Sequence, residues 1–326
     1  MKKDVQSWID ILKYMIDKPK TSSLAILYPL SRIKLASKIS DAALEIDLKT
    51  IKLEVNPAKE YESVPQNLAS ILDNLAEDDF LIVIRGDDFI NKLKLNTHFN
   101  TFSGLINSSA RSLVLHMLIK DKDLMHLLDV DYNELMKYTE GLEKKLSKSK
   151  KIRIKTPKGT DLTFYPREWS ILPFKPDNET KNGLLPAGQL YTTPFESKTS
   201  GTIVIDRCIS EFPIDFRDII SFPSIDKELF LKIKNGRIVN IEGGDEADFL
   251  EKECLSRVDY NGFTLGEITF GTNPKTSTQN NIAIQEVLRD TVHFGFGLNT
   301  HLGGDIVSNV HWDAVIEFNH DDIEYY

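Results

Sequence analysis

The feature that most constrains the fold is a change in hydrophobic patterning near residue 150. Before that point, apolar strand patterns alternate with amphipathic helix patterns, in the order strand 23–30, helix 31–46, strand 50–55, helix 64–75 and strand 80–86. Such alternation is typical of a mostly parallel sheet with helices on its faces. The sequence therefore predicts an α/β N-terminal domain over residues 1–150.

Two further helices are predicted inside this domain by helical spacing, over 110–119 and 131–147. Ser31 is predicted to cap the helix that follows it, because a side-chain oxygen there can accept a hydrogen bond from an unpaired backbone N–H. No GxGxxG or GxxxxGK[ST] motif follows any of the strands. A nucleotide-binding fold with its usual phosphate-binding loop is therefore not supported.

After this boundary, short strands separated by turn signals replace the alternation. Hairpins are predicted over 151–166 and 229–243, the second with its turn at Asn235-Gly236. An Asn-Gly pair between two alternating apolar runs is a strong hairpin signal, because both residues accept a positive φ. The sequence predicts a strand-rich α+β C-terminal domain over residues 151–326.

Composition limits the classes of partner. The chain has 326 residues, 41% of them hydrophobic, which is enough for two cores, and a net charge of −9, which gives a nucleic-acid partner no electrostatic support. Its two cysteines form no CxxC pair, so a thiolate zinc site is excluded. No apolar run approaches the length of a membrane span, and the N-terminal segment reads as an amphipathic helix rather than a signal peptide. We expect a soluble, cytoplasmic protein with neither a nucleic-acid nor a membrane partner.

Four metal-ligand candidates lie in apolar, strand-like stretches near the C-terminal end: Glu267, His293, His311 and Asp313. Buried charges are costly unless something compensates them, and a cation is a common compensation. His311 and Asp313 are two residues apart, so on a strand both side chains project from one face. Polar residues that alternate with a buried face are the alternative explanation. The crowding of four of the seven histidines into residues 293–320 favours a metal site.

Six motifs together resemble the thermophilic aminopeptidase T family of dinuclear metallopeptidases, a family that is also similar to the 2,5-dihydroxypyridine dioxygenases, which hold a single iron. They occur in the order GTDLTF (159–164), LPAGQLYTTP (185–194), NGRIVNIEGG (235–244), GEITFGTNP (266–274), TVHFGFG (291–297) and VHWD (310–313). The resemblance covers residues 110–326 well and the N-terminal region only in its pattern. It implies a homodimer.

The resemblance assigns Glu267, His293, His311 and Asp313 as metal ligands. Two features depart from the peptidases: the first ligand glutamate of the family falls on Gln189, and no tyrosine follows in NTHLGGD (299–305). Fewer anions make two neighbouring cations harder to hold, so a single-metal site becomes easier to accommodate than in a peptidase. Two histidines and one carboxylate suit Fe(II) oxygenases and zinc hydrolases equally.

Other candidates flank these ligands. His301 lies in a glycine-rich loop, where it is predicted to be catalytic, as a proton shuttle or substrate contact, or else to face solvent. Glu267 is predicted either to bind the metal or to act as a general base towards a metal-bound water. Arg167 is a candidate for a substrate carboxylate or for a structural ion pair. Thr192 and Gln189 are candidates for lining the substrate cleft, although hydroxyls in such loops often only cap backbone groups.

The first functional hypothesis is a metal-dependent hydrolase of amide bonds, aminopeptidase-like, with one or two Zn, Co or Mn ions that activate water. Its substrate would be a short peptide or a specialised amide. The alternative is a mononuclear non-haem Fe(II) dioxygenase that opens a hydroxylated ring, which fits the glutamine at position 189 and the phenylalanine-rich strand at 291–297. We rank the hydrolase first because the resemblance to the peptidases is broader.

Overall fold

The computed structural model describes residues 3–16, 21–55, 66–85, 110–115, 119–177, 180–215 and 218–326. The α-helices are α1 (Lys3–Met15), α2 (Ile33–Leu44), α3 (Gln66–Asp73), α4 (Asp121–Leu128), α5 (Tyr132–Leu146), α6 (Asp245–Phe249) and α7 (Ile282–Gln285). The first nine strands are β1 (Ser23–Pro29), β2 (Lys49–Val55), β3 (Phe80–Ile84), β4 (Arg111–Leu115), β5 (Ile152–Lys155), β6 (Asp161–Phe164), β7 (Pro166–Ile171), β8 (Asn182–Leu185) and β9 (Gln189–Pro194). Ten more follow: β10 (Ser200–Ile205), β11 (Cys208–Ile209), β12 (Phe212–Asp215), β13 (Asp218–Ile220), β14 (Leu229–Lys234), β15 (Arg237–Glu242), β16 (Leu265–Gly271), β17 (Thr291–Gly297), β18 (His311–Glu317) and β19 (Ile323–Tyr325).

The first of two compact units contains a five-stranded sheet in the order β2-β1-β3-β4-β8. Every neighbouring pair in this sheet is parallel. The central strands β1 and β3 are apolar along nearly their whole length because helices must cover both faces of a parallel sheet. The parallel α/β character predicted for the N-terminal half is confirmed.

Two local predictions in this unit were wrong. Residues 111–115, predicted to be helical, form strand β4, which is paired on both sides and mostly buried. A short apolar run bounded by loops has no distinctive period, so spacing alone does not separate a buried strand from a helix. Ser31 is not the cap of α2: it lies inside a 3₁₀ turn (Leu30–Arg32), and the capping position falls on Arg32, without a side-chain hydrogen bond.

The second unit is built on two six-stranded sheets. One has the order β15-β14-β10-β6-β5-β19 and the other β11-β18-β17-β16-β9-β7, and neighbouring strands in both are antiparallel. The two predicted hairpins are confirmed as β5–β6 and β14–β15. Asn235 and Gly236 both have positive φ angles, 51° and 74°, as a tight hairpin turn requires.

One face of the sheet β11-β18-β17-β16-β9-β7 packs into the hydrophobic core of the second unit. Phe294 and Phe296 of β17 and Trp312 of β18 are fully buried there, and the Trp312 ring stacks on Phe296 with centroids 4.5 Å apart. Side chains alternate along a strand, so the residues between them point to the opposite face. That opposite face carries His293, Gly295, His311 and Asp313.

The division into units differs from the predicted domains. Contacts group Met1–Tyr132 with Leu172–Ala187, and Asn133–Ile171 with Gly188–Tyr326. The boundary near residue 150 stays a prediction. Among the helices that the structure describes, none is both long enough and apolar enough to cross a membrane. Cys208 and Cys254 are both free and buried.

Candidate metal centre

Strand register brings the predicted ligands together. Glu267 on β16 pairs with Gly295 on β17, and Gly295 pairs with Asp313 on β18. His293 precedes Gly295 by two residues, and His311 precedes Asp313 by two, so all four ligand candidates lie on one face of three adjacent strands. A chain separation of 46 residues between Glu267 and Asp313 is thus reduced to two strand spacings.

Gly295 creates the space in which these side chains meet. A Cβ atom at this position would lie 2.8 Å from Glu267 Cβ, 2.9 Å from His311 Cε1 and 3.0 Å from Asp313 Oδ1. Contacts below 3 Å require something to move. The missing side chain in the middle strand is therefore what lets donors from both flanking strands converge.

The donor atoms lie at the separations expected around one cation. His293 Nε2 is 3.3 Å from Glu267 Oε1, while His311 Nε2 is 3.4 Å from Glu267 Oε2 and 3.2 Å from Asp313 Oδ1. Metal–ligand bonds of about 2.0–2.2 Å place neighbouring ligands of a tetrahedral site about 3.3–3.6 Å apart. The side chains thus need little movement to bind an ion.

The electrostatics of the cluster favour a positive charge between the carboxylates. Burial alone would raise the pKa of Glu267, but hydrogen bonds with His293 and His311 outweigh burial and hold that pKa well below its usual range. Burial alone would lower the pKa of His293, yet the Glu267 carboxylate raises it to about 9. Asp313 and Glu267 likewise raise the pKa of His311 against the effect of burial. Each carboxylate thus favours a positive charge beside it, and a bound metal ion would provide that charge.

Within the described part of the chain, one buried atom of the cluster, His293 Nδ1, makes no hydrogen bond. Buried polar atoms without partners are rare, and an ion or water is the usual explanation. The donor set of imidazoles and carboxylates also suits a borderline divalent cation such as Fe, Zn, Co or Mn. The residues present therefore fit a metal, although their role as ligands remains a prediction.

Neighbouring groups orient the ligands. His311 Nδ1 lies 2.7 Å from the Leu298 carbonyl oxygen, so this nitrogen donates a proton there and Nε2 faces the cluster. Thr269 Oγ1 donates to Glu267 Oε1 over 2.5 Å. The backbone N–H of Asp313 donates to Ser210 Oγ over 2.8 Å. The first two bonds orient the side chains of His311 and Glu267 before any ion binds, and the third holds the backbone of Asp313.

His301 also reaches the cluster. It lies in a 3₁₀ turn (Thr300–Leu302), and its ring meets that of His311 edge to face, with centroids 5.1 Å apart. Donor atoms of Glu267, His301 and His311 lie within 4.8 Å of one another, as do those of Glu267, His293 and Asp313. Glu267 is common to both groups. The predicted catalytic role of His301 has the required proximity and stays a prediction.

Three other candidates are not part of the two donor groups found among the described residues. The Thr192 side chain is on the core face of β9, opposite Ile268, and its hydroxyl donates to the Glu168 carbonyl over 3.0 Å. Gln189 pairs with Gly271, four residues along β16 from Glu267, so its side chain is on the same face of the sheet as the donors. Arg167 forms a two-pronged ion pair with Glu196 at 3.1 and 3.2 Å, the structural alternative given above.

Sequence reasoning missed two residues of this region. Thr269 bonds directly to Glu267, and its position two residues along the same strand is a signal that could have found it. Glu286 follows α7 and is buried. Burial raises its pKa to about 8, and the charges of His293 and Asp313 act on that pKa in opposite directions. Nothing in its local sequence indicates that closeness, which arises only from tertiary packing.

Comparisons with solved structures identify the fold of this chain. Over 96% of this chain and 91% of the other, the fold matches 2,5-dihydroxypyridine dioxygenase from Pseudomonas putida KT2440, with a TM-score of 0.68 and 17% identity. It also matches wild-type AmpT from Thermus thermophilus, with a TM-score of 0.60, 12% identity and coverage of 98% and 96%. At these identities the likeness shows the fold alone. No curated protein matches the sequence.

The profile of the 2,5-dihydroxypyridine 5,6-dioxygenase family matches residues 19–317. The chain therefore belongs to this family of enzymes. Of the two groups in the sequence-based resemblance, the dioxygenases are the better supported.

Proposed function

We propose that this protein is a mononuclear non-haem Fe(II) dioxygenase that opens a hydroxylated aromatic ring of the 2,5-dihydroxypyridine type. The observation that carries the proposal is the family match over residues 19–317. This family match reverses our ranking, in which the amide hydrolase came first and the dioxygenase was the alternative.

The composition of the site supports a single iron. His293, His311 and Asp313 provide two imidazoles and one carboxylate, the ligand set of many non-haem Fe(II) oxygenases. Glu267 and Asp313 are the only carboxylates in the two donor groups among the described residues. Two cations a few ångströms apart repel strongly, and bridging anions are what make such pairs stable. A glutamine at position 189 adds no anion.

Bound Fe(II) would supply the redox chemistry that activates dioxygen towards the ring. The protein side chains have separate tasks. His311 is held by the Leu298 carbonyl and His293 by its burial, so both imidazoles are oriented in advance. Glu267, buried and bonded to Thr269, is placed either as a further ligand or as the acceptor of a proton from a substrate hydroxyl. Strands β16 and β17 are buried along their whole length, which limits the access of bulk water to Glu267 and His293.

Metal analysis and oxygen uptake test this function together. Protein purified without oxygen should contain one iron per chain and should consume oxygen when 2,5-dihydroxypyridine is added. Asp313→Asn should lose most of the iron and the activity, because the anionic ligand is gone. Asp248→Asn, on an exposed part of α6, is the matched control and should behave like the wild type.

The competing hydrolase gives a different result. Two zinc, cobalt or manganese ions per chain, hydrolysis of aminoacyl p-nitroanilides and no oxygen uptake would overturn the dioxygenase proposal. Glu267→Gln separates the two roles of that residue: iron content falls if Glu267 is a ligand, and stays constant while turnover falls if it accepts a proton.

A further inference from the structure

A polar row crosses the sheet beside the metal donors. Ser170 on β7 pairs with Tyr191 on β9, Tyr191 pairs with Thr269 on β16, and Thr269 pairs with His293 on β17. Directly paired residues of antiparallel strands point to the same face, about 4.5–5.5 Å apart. Tyr191 and Ser170 therefore share the face of the metal donors. Thr192, the next residue along β9, points to the opposite face and into the core.

Contacts connect Tyr191 to the donor cluster. Strand register places Ser170 beside Tyr191 on one side, and a hydrogen bond with the Ser170 hydroxyl acts on the pKa of the phenol. On the other side stands Thr269, whose hydroxyl donates to Glu267. Burial raises the pKa of Tyr191, the bond with Ser170 lowers it, and the negative charge of Glu267 raises it. The phenol thus lies within electrostatic reach of the cluster carboxylate.

Neither Tyr191 nor Ser170 is needed to hold the ion, since the imidazoles and carboxylates of the cluster provide enough donors. The pair is only half-buried, unlike His293 and Thr269, so a ligand can reach it. It offers an aromatic ring and two hydroxyl groups, each of which can donate and accept a hydrogen bond. A flat molecule with its own hydroxyl groups has the matching chemistry: a ring for stacking and a polar edge for the hydroxyls.

We propose that Tyr191, supported by Ser170, forms a subsite that positions the hydroxylated ring of the substrate next to the metal donors. This inference rests on the proposed dioxygenase function and adds a specificity-determining residue to it. Tyr191 would act on substrate binding and orientation and not on metal retention. Ser170 would act through Tyr191, because its hydroxyl holds the phenol in place.

The test is the steady-state oxygen uptake of iron-loaded wild type, Tyr191→Phe and Ser170→Ala with 2,5-dihydroxypyridine. Tyr191→Phe keeps the ring and loses one hydrogen bond to substrate, so KM should rise about tenfold while kcat changes less than about threefold. Ser170→Ala should raise KM by a smaller factor. Iron content should equal that of the wild type in both variants. Tyr165→Phe, a half-buried tyrosine between β6 and β7, is the matched control.

Analogue binding sharpens the test. Without oxygen, 2-hydroxypyridine and 3-hydroxypyridine each retain one of the two hydroxyl groups. The difference in Kd between wild type and Tyr191→Phe should disappear for the analogue that lacks the hydroxyl contacted by Tyr191, and persist for the other.

Three outcomes would overturn the inference, and they are distinguishable. If the wild type consumes oxygen but Tyr191→Phe has an unchanged KM, Tyr191 does not contact the substrate. If iron content falls together with activity, Tyr191 supports the metal site instead. If the wild type itself neither consumes oxygen nor binds these pyridines, the proposed function fails and the subsite falls with it.

Discussion

A single missing side chain decides whether the donor residues can meet. Gly295 stands between Glu267 and Asp313 in the same row of the sheet, and a Cβ there would come within 3.0 Å of atoms of three donor residues. Its role is one of space and not of backbone freedom, since its φ angle is not among the positive ones. The chemistry of the cluster therefore depends on a residue that contributes no functional group.

Replacing Gly295 tests this dependence. Gly295→Ala should lower metal affinity more than tenfold, because the donor side chains must move apart to admit the methyl group. Isothermal titration with Fe(II) under nitrogen, or with Co(II), measures the affinity. Gly141→Ala on α5 is the control: nothing lies within 4 Å of its added Cβ, so metal affinity should stay constant and stability should rise by about 0.5–1 kcal/mol. Equal metal affinity in Gly295→Ala and wild type would refute the spatial argument.

Thr269 is the residue whose hydroxyl orients Glu267. Thr269→Val removes the 2.5 Å bond to Glu267 Oε1 while keeping the shape of the side chain. Metal affinity should fall about 10–100-fold, the usual effect of losing a group that orients a ligand. Thr269→Ser should restore most of it, because the hydroxyl returns. Thr163→Val, a half-buried threonine on β6, should leave affinity unchanged; a loss of similar size there would point to a general effect of the substitution.

At the scale of elements, the loop between β17 and β18 is tied to β16 by one residue. Asn299 is fully buried; its side-chain amide nitrogen donates to the Gly266 carbonyl over 2.9 Å, and its oxygen accepts from the Ile306 backbone N–H over 2.8 Å. Gly266 directly precedes Glu267. The loop that carries His301 is thus anchored next to a donor residue.

Asn299→Ala should release this loop. The buried Gly266 carbonyl and the half-buried Ile306 N–H would lose their partners. A buried group left unsatisfied costs about 1–3 kcal/mol, and a half-buried group costs less because water can reach it. Hydrogen exchange should become faster at residues 299–306, while the paired amides of β17 and β18 keep their protection. Asn240→Ala, an exposed asparagine on β15, is the control. Unchanged exchange in the loop would mean that other contacts hold it.

Prediction of the elements from sequence succeeded where periodicity was strong or a turn had a definite chemistry. The Asn235-Gly236 hairpin and helix α5 are confirmed because each has a local physical signature. The helix predicted at strand β4 is wrong because a buried strand of five residues has no visible alternation. The cap at Ser31 failed because the chain forms a 3₁₀ turn before α2 begins.

At the scale of the whole molecule, metal binding should be coupled to the stability of the second unit. Four donors come from three strands of one sheet, so an ion bound to them links β16, β17 and β18. At a free-metal concentration of about 100 times Kd, binding should add about 2.7 kcal/mol. For a unit of this size we expect the Tm to rise by about 5–10 °C.

Calorimetry of metal-loaded and chelator-treated protein measures this effect. Asp313→Asn should show no metal-dependent shift, whereas Asp248→Asn should shift like the wild type. A wild-type Tm that is insensitive to the metal would show that the ion contributes nothing to folding stability. The homodimer implied by the family resemblance stays a prediction at this scale.

The sequence by itself determined the class of each half of the chain and the identity of the metal-donor candidates. Local periodicity, turn chemistry and the motifs around Glu267, His293, His311 and Asp313 all act within a few residues, which is the range over which a sequence can be read directly. Tertiary structure alone decided which donors share a row, that Gly295 provides their space, that Thr192 faces the core and that Tyr191 and Glu286 approach the cluster. Those facts follow from strand register and packing between distant segments, and no local pattern encodes a register.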